Sequence, residues 1–242
     1  MKQVFLMTFV GLAVLARVSN LYAQDDDEKF RLSVDVASGF VWRGFSLNTS
    51  PVVQPTITFT QGRFSIGAWA TTPFNSGEYQ EIDVFASYQI TQSLSISITD
   101  YFDYTSFFWG KDYFNYKKNE TFHAFDLQLM HCGSEDYPFK AMISTIIGGD
   151  DLNDEGKSNF STYFELGYGN TTKRGINWEV FTGFVPMKSY FYEITDASIV
   201  NIGFGVSKSL EITPTYSLPL SFSFSINPAY RSVYFVAKIT LL

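Results

Sequence analysis

Apolar side chains recur at every second position along most of this chain. In "SLPLSFSFSI" (217–226), Leu218, Leu220, Phe222, Phe224 and Ile226 alternate with small hydrophilic residues, among them Ser221, Ser223 and Ser225. Successive side chains of a β-strand project to opposite faces, so this segment has one apolar face and one small, hydrophilic face. The same alternation predicts twelve strands, over about residues 31–45, 52–61, 63–74, 79–91, 93–104, 121–130, 139–149, 160–169, 175–185, 197–208, 217–226 and 233–242. In the first, Leu32, Val34, Val36, Phe40 and Trp42 share one face, while Ser33, Asp35, Ala37, Gly39 and Arg43 share the other.

The connections alternate in length as well. Gln61-Gly62 and Thr91-Gln92 are tight turns, whereas 104–120, 150–159 and 186–196 are long; the stretch 131–138 is longer than a minimal turn. Segments of about ten residues joined alternately by short and long connections are the signature of an antiparallel transmembrane β-barrel. A soluble sandwich alternates too, but its polar face meets bulk water and usually carries Lys and Glu. Here that face is mostly Ser, Thr, Gly, Asn and Gln, which suits a confined lumen. The charged fraction of 17% and the aromatic fraction of 18%, with 25 Phe and 15 Tyr, fit a chain that shows apolar and aromatic groups to lipid.

The N-terminus reads as a signal peptide, residues 1–23: Lys2 is followed by an apolar run from Val4 to Ala16, and Ala23 offers a small residue for cleavage. An acidic leader, 24–29, then precedes a single barrel domain, 30–242. Loss of Lys2 and Arg17 leaves 15 basic against 24 acidic residues, moving the net charge from −7 to −9. Such acidity argues against nucleic acid as a partner. The single cysteine, Cys132, permits no intrachain disulfide.

The first four predicted strands carry "SGFVWRG" (38–44), "VQPTITFTQGRFSIGAWA" (53–70) and "EIDVFASY" (81–88), and over this third of the chain the sequence resembles the TorF-type porins, Gram-negative outer-membrane proteins. The resemblance implies a porin-like barrel in the outer membrane, with lipid around it, and names no solute.

Strand parity places Arg43, Gln54, Trp69, Glu81 and Asp83 on the polar face of neighbouring strands, with Asp126, Glu165 and Glu179 further along. Two readings follow for Arg43 with Glu81 and Asp83: a selectivity ring acting on ions in a low-dielectric lumen, or a pairing that lets buried charges exist. The whole inward face holds Asp35, Glu81, Asp83, Asp126, Glu165 and Glu179 against Arg43, Lys140 and Lys238, an acidic excess that favours cations if the lumen conducts. The small inward residues Gly203, Gly205, Ser221, Ser223 and Ser225 are expected to leave space along one wall.

The aromatic segment 101–118 reads as part of an interfacial girdle, and "GGDDLNDEG" (148–156) as a solvated acidic loop without the ligand spacing of a calcium site. No metal or cofactor is implied. An outer-membrane hydrolase is the rival class, but parity puts His123 and His131 on the lipid side and no Gly-x-Ser-x-Gly occurs, so no catalytic residue is assigned. The sequence therefore predicts an all-β outer-membrane barrel acting as a channel for small hydrophilic solutes, with a non-conducting structural or surface-interaction barrel as the alternative.

Overall fold

The computed structural model describes residues 29–75, 77–105, 112–134 and 137–241. The signal peptide, all but the last residue of the acidic leader, the middle of the aromatic segment and Leu242 lie outside the described residues. The rest is all-β, with no helix among the described residues.

Twelve antiparallel strands close into a barrel. They are β1 (Phe30–Ala37), β4 (Val52–Gln61), β5 (Phe64–Pro73), β6 (Glu81–Gln89), β7 (Leu94–Asp103), β8 (His123–His131), β9 (Phe139–Gly149), β10 (Thr162–Thr171), β11 (Asn177–Val185), β12 (Ser198–Thr213), β13 (Tyr216–Asn227) and β14 (Ser232–Thr240). Each pairs with its neighbours in sequence order, and β1 meets β14 to close the ring. On the wall strands the predicted apolar faces point outward: Leu32, Ile57, Leu166, Phe204, Phe224 and Phe235 are exposed, whereas Ser33, Gln54, Ser65, Asp126, Ser144 and Ser223 face inward and are buried. One end carries the short turns and the first residue of β1; the other carries the long loops. At the short-turn end β12 and β13 run on as a ribbon, beyond the residue where β11 stops pairing.

The first predicted strand needs correction. Alternation alone extends it to residue 45, but the wall strand ends at Ala37. Residues 38–51 leave the wall and form a separate two-stranded hairpin, β2 (Phe40–Trp42) with β3 (Phe45–Asn48). Arg43 and Gly44 make its tip with φ values of 49° and 85°, the left-handed pair that a two-residue hairpin turn requires. Pro55, inside β4, sits where the pairing with β5 lapses between Val53↔Thr72 and Thr56↔Trp69 with the register unchanged, so its missing donor breaks no ladder bond on that side.

Because β1 is cut short, the closing seam is brief. Only Asp35↔Thr240, Val36↔Ile239 and Ala37↔Lys238 pair, extended at either end by Ser38 N–H to Ala237 O and Leu241 N–H to Val34 O. A buried ion pair spans it: Lys238 Nζ donates to Asp35 Oδ2 at 2.7 Å, and the Thr240 hydroxyl donates to Oδ1 at 2.6 Å. Removing one member of such a pair leaves the other charge buried and unpaired. Asp35→Ala is expected to destabilise the refolded barrel by about 3–5 kcal/mol, read from urea unfolding in detergent. Asp35→Leu combined with Lys238→Met recovers most of that loss; equal destabilisation by the single and double changes would show that the ion pair is not what holds the seam.

Candidate functional site

The hairpin 38–51 turns into the barrel and crosses the lumen. Its aromatic residues make the crossing stable. Trp42 stacks on Tyr192 at 5.6 Å with ring planes 14° apart and meets Tyr101 edge-on at 5.7 Å. Phe45 lies 5.9 Å from Tyr192, and Phe40 lies 5.4 Å from Trp69 on β5. The tip reaches the far wall: a Cβ added at Gly44 would lie 2.0 Å from Val200 O on β12. Only glycine satisfies both that approach and the left-handed backbone. Asn227 Nδ2 donates to Gly44 O at 2.9 Å and ties the tip to β13.

Beside Gly44, the Arg43 guanidinium is clamped. Its Nη2 donates to Asp126 Oδ2 on β8 at 2.8 Å, its Nη1 donates to the Tyr192 hydroxyl, and its plane lies over Trp42 at 4.4 Å and Tyr163 at 5.1 Å. Asp126 also accepts from Tyr101 at 3.0 Å, Gln128 at 2.8 Å and Ser144 at 2.6 Å. A fully buried carboxylate is tolerable on these terms, with an opposite charge and several donors directed at it. The expectation that Arg43 sits with Glu81 and Asp83 is thus corrected: leaving the wall carries Arg43 across the lumen to Asp126.

The other predicted residues are spread around the wall. Gln54 donates weakly to Thr71 at 3.4 Å, and Trp69 packs under the hairpin. Glu179 pairs with Lys140 at 2.9 Å beside a recess near the short turns that is also lined by Gly205 and Ser207. Glu165 accepts from the Tyr163 hydroxyl and, at 3.4 Å, from Asn201. Among the described residues the three inward bases pair with acids, Arg43 with Asp126, Lys140 with Glu179 and Lys238 with Asp35. Glu81, Asp83 and Glu165 have no ion pair among the described residues. Asp83 Oδ1, Ser87 Oγ and Asn201 Oδ1 are buried on inward faces with no hydrogen-bond partner among the described residues.

The small inward residues do not leave an open wall. A Cβ at Gly203 would lie 2.1 Å from the Phe181 ring, at Gly183 2.0 Å from the Tyr163 hydroxyl, at Gly67 2.5 Å from the Phe85 ring and at Gly205 3.1 Å from Glu179. Each glycine is a seat for a side chain on the adjacent strand. Ser221, Ser223 and Ser225 are buried as well.

At the long-loop rim, His123 has outward parity as predicted, yet it does not face lipid. Residues 113–116 fold over it: Nε2 lies 2.6 Å from Tyr113 O, Nδ1 lies 2.8 Å from Asp100 Oδ1, and Tyr116 stacks on the ring at 4.3 Å. Nor is the acidic loop wholly solvated, because buried Asp151 accepts from both the backbone and the hydroxyl of Ser161. Glu78, in the loop after β5, accepts from Ser50 at 2.9 Å and from Asn75 at 3.2 Å, contacts that hold its carboxyl below the ordinary range. This tie to the base of the hairpin is complete above that range and is lost as pH falls through the lowered value.

Tyr163 and Tyr192 carry no assignment from sequence, and Tyr101, expected in the aromatic girdle, instead turns inward to Asp126. Tyr163 and Tyr101 carry a legible signal, a phenol on the inward parity of a strand; Tyr192 lies in an irregular loop and carries none.

Gly183→Val is expected to displace Tyr163 and cost about 1–3 kcal/mol, measured by urea unfolding beside Gly62→Val, whose site has no neighbour within 4 Å and whose cost comes from its positive φ alone. No protein-family model matches this chain, and no curated protein matches it.

Proposed function

We propose that the protein is an outer-membrane channel of porin type, with its long loops outside and its short turns in the periplasm. The closed barrel with its apolar belt and polar interior supports the membrane setting, since a closed sheet alone satisfies every strand's backbone in lipid. The resemblance of the first four strands to TorF-type porins points the same way. The observation that carries the channel reading is the hairpin: the lumen is occupied by a separable segment, bonded through side chains at its tip, rather than by the wall's own residues alone. Small hydrophilic solutes pass where the hairpin leaves room, and the carboxylates without a basic partner, Glu81, Asp83 and Glu165, bias passage toward cations. No catalytic role falls to His123, whose two ring nitrogens are both engaged.

A second reading is favoured by one observation. Inward side chains on every barrel strand are buried, Ser33, Ser97, Gln128, Tyr163 and Asn201 among them, as in a filled barrel that does not conduct.

Planar-bilayer recording of the refolded protein across a KCl gradient separates the two. The channel reading expects small openings with a cation-selective reversal potential, larger openings when residues 40–48 are replaced by a short Gly-Ser link, and a weaker cation preference in Glu81→Gln/Asp83→Asn. A folded barrel that stays silent both with and without the hairpin would be the filled, structural one. Anion-selective openings would refute the role given to the carboxylates.

A further inference from the structure

We propose that the hairpin 38–51 has a second seat in the barrel wall, where β2 and β3 continue β1 and β4 and β2 pairs with the free edge of β14, opening the lumen. This rests on the channel reading above and supplies its gate.

The first observation is an unfilled edge. The seam pairs β14 with β1 only as far as Ala37↔Lys238. Beyond it, residues 232–236 of β14 pair with β13 on one side, and no partner is found for them on the other among the described residues. The Ser38 N–H to Ala237 O bond shows that odd-numbered β14 residues turn their backbone groups toward β1. The amide and carbonyl groups of Val233 and Phe235 therefore point into the gap. Both side chains are exposed, at 60% and 64%, on the apolar outer face, so these groups lie where the barrel meets lipid. Unpaired backbone in that setting is costly, which gives the edge a strong demand for a strand.

The second observation identifies the strand. Continuing the seam register places Phe40 opposite Phe235 and Trp42 opposite Val233. The barrel parity also runs unbroken through the hairpin. With Leu32, Val34 and Val36 facing out, Phe40 and Trp42 face out too; on the returning strand the outward positions fall on Leu47 and Phe45. Inward positions fall on Gly39, Val41, Arg43, Ser46, Asn48 and Ser50. This apolar-out, mostly polar-in pattern is what a wall strand needs, and the same Phe40, Trp42 and Phe45 that pack on Trp69 and Tyr192 in the lumen would meet lipid in the wall. At the rim Trp42 would stand in the interfacial zone that suits it.

The third observation is that both seats are chemically provided for. The turn at Arg43 and Gly44 is already a strand-joining hairpin turn. The hinges fall at Ser38–Gly39 and 49–51, irregular segments where a small mismatch of register can remain as a bulge; Trp42 pairs with Phe45 in the hairpin, whereas the wall register sets it near Leu47. When Arg43 departs, Asp126 keeps its donors Tyr101, Gln128 and Ser144 and gains access to water. The Arg43–Asp126 pair is thus a latch that holds the closed seat.

Two disulfide traps test this, both in a Cys132→Ser background and both using Trp42→Cys. With Tyr192→Cys the trap closes only in the lumen; with Val233→Cys it closes only in the wall, since Val233 points away from the lumen. Each is refolded, oxidised, read by mass spectrometry of cross-linked peptides, and recorded in bilayers in KCl before and after reduction. Arg43→Asn, which keeps a residue tolerant of the left-handed turn, is added to each; heat-modifiable gel mobility confirms folding. The expected result is cross-linking in both traps, a Trp42–Val233 yield raised about tenfold by Arg43→Asn, and larger conductance in the wall-locked form. Cross-linking to Tyr192 alone, unchanged by Arg43→Asn, overturns the second seat. Cross-linking to Val233 without conductance in either form supports the two seats and removes the channel.

Discussion

A strand in a closed sheet must find hydrogen-bond partners on both edges, and in this barrel that demand meets the competing pull of the lumen on one segment. Eleven of the strand pairings run over seven or more residue pairs each. The twelfth, between β1 and β14, has three residue pairs, because the chain leaves the wall at Ser38 to cross the interior. The seam therefore leans on side chains where others rely on backbone. Asp35, Lys238 and Thr240 form a compact buried cluster there, and the Ser38 hydroxyl accepts from Ala237 N–H at 3.0 Å. What the wall loses in ladder bonds, the interior recovers in the stack of Trp42 on Tyr192 and the clamp on Arg43.

Much of the architecture was legible in the sequence because a closed barrel with an apolar outer face obeys a simple rule. Val233, Phe235, Ala237 and Ile239 read as an outward face whatever lies beside them, so strand positions and in/out assignment follow from period-two alternation. The hairpin was not legible for the same reason. Phe40 and Trp42 continue the parity of Leu32 and Val36, and alternation does not distinguish a strand in the wall from one folded behind it. The partner of Arg43 was equally hidden: Asp126 lies 83 residues away, and proximity along neighbouring strands favours Glu81 and Asp83 until the hairpin's path is known. His123 was misplaced because parity says nothing about a loop that returns to cover the outside.

The inward glycines show how much depends on register. Gly203 looks like open space in the sequence, but Phe181 is paired with it, and at Gly183 the Tyr163 hydroxyl sits where a side chain would be. Small and large residues are matched across strands, as packing in a narrow barrel requires. The inward carboxylates follow a different logic. Their excess over bases was countable from parity, and the pairing leaves Glu81, Asp83 and Glu165 as the uncompensated ones because each base has gone elsewhere.

The distribution of contacts along the hairpin bears on how it could move. Near its hinge, Phe40 and Val41 pack with Ala37, Val52, Trp69 and Val236 in an apolar cluster that belongs partly to the wall. At its tip, Arg43 and Gly44 are held by Asp126, Tyr192 and Asn227 through directional polar contacts. Apolar contact near a hinge tolerates rotation, since it has no required angle, whereas a hydrogen-bonded tip is either engaged or released. An apolar tip would have grown steadily less favourable as it was withdrawn, giving a soft plug. A charged tip in a site with its own reserve of donors gives two distinct states instead, separated by the Arg43 clamp, the Asn227 tie to Gly44 and the Trp42 stack on Tyr192.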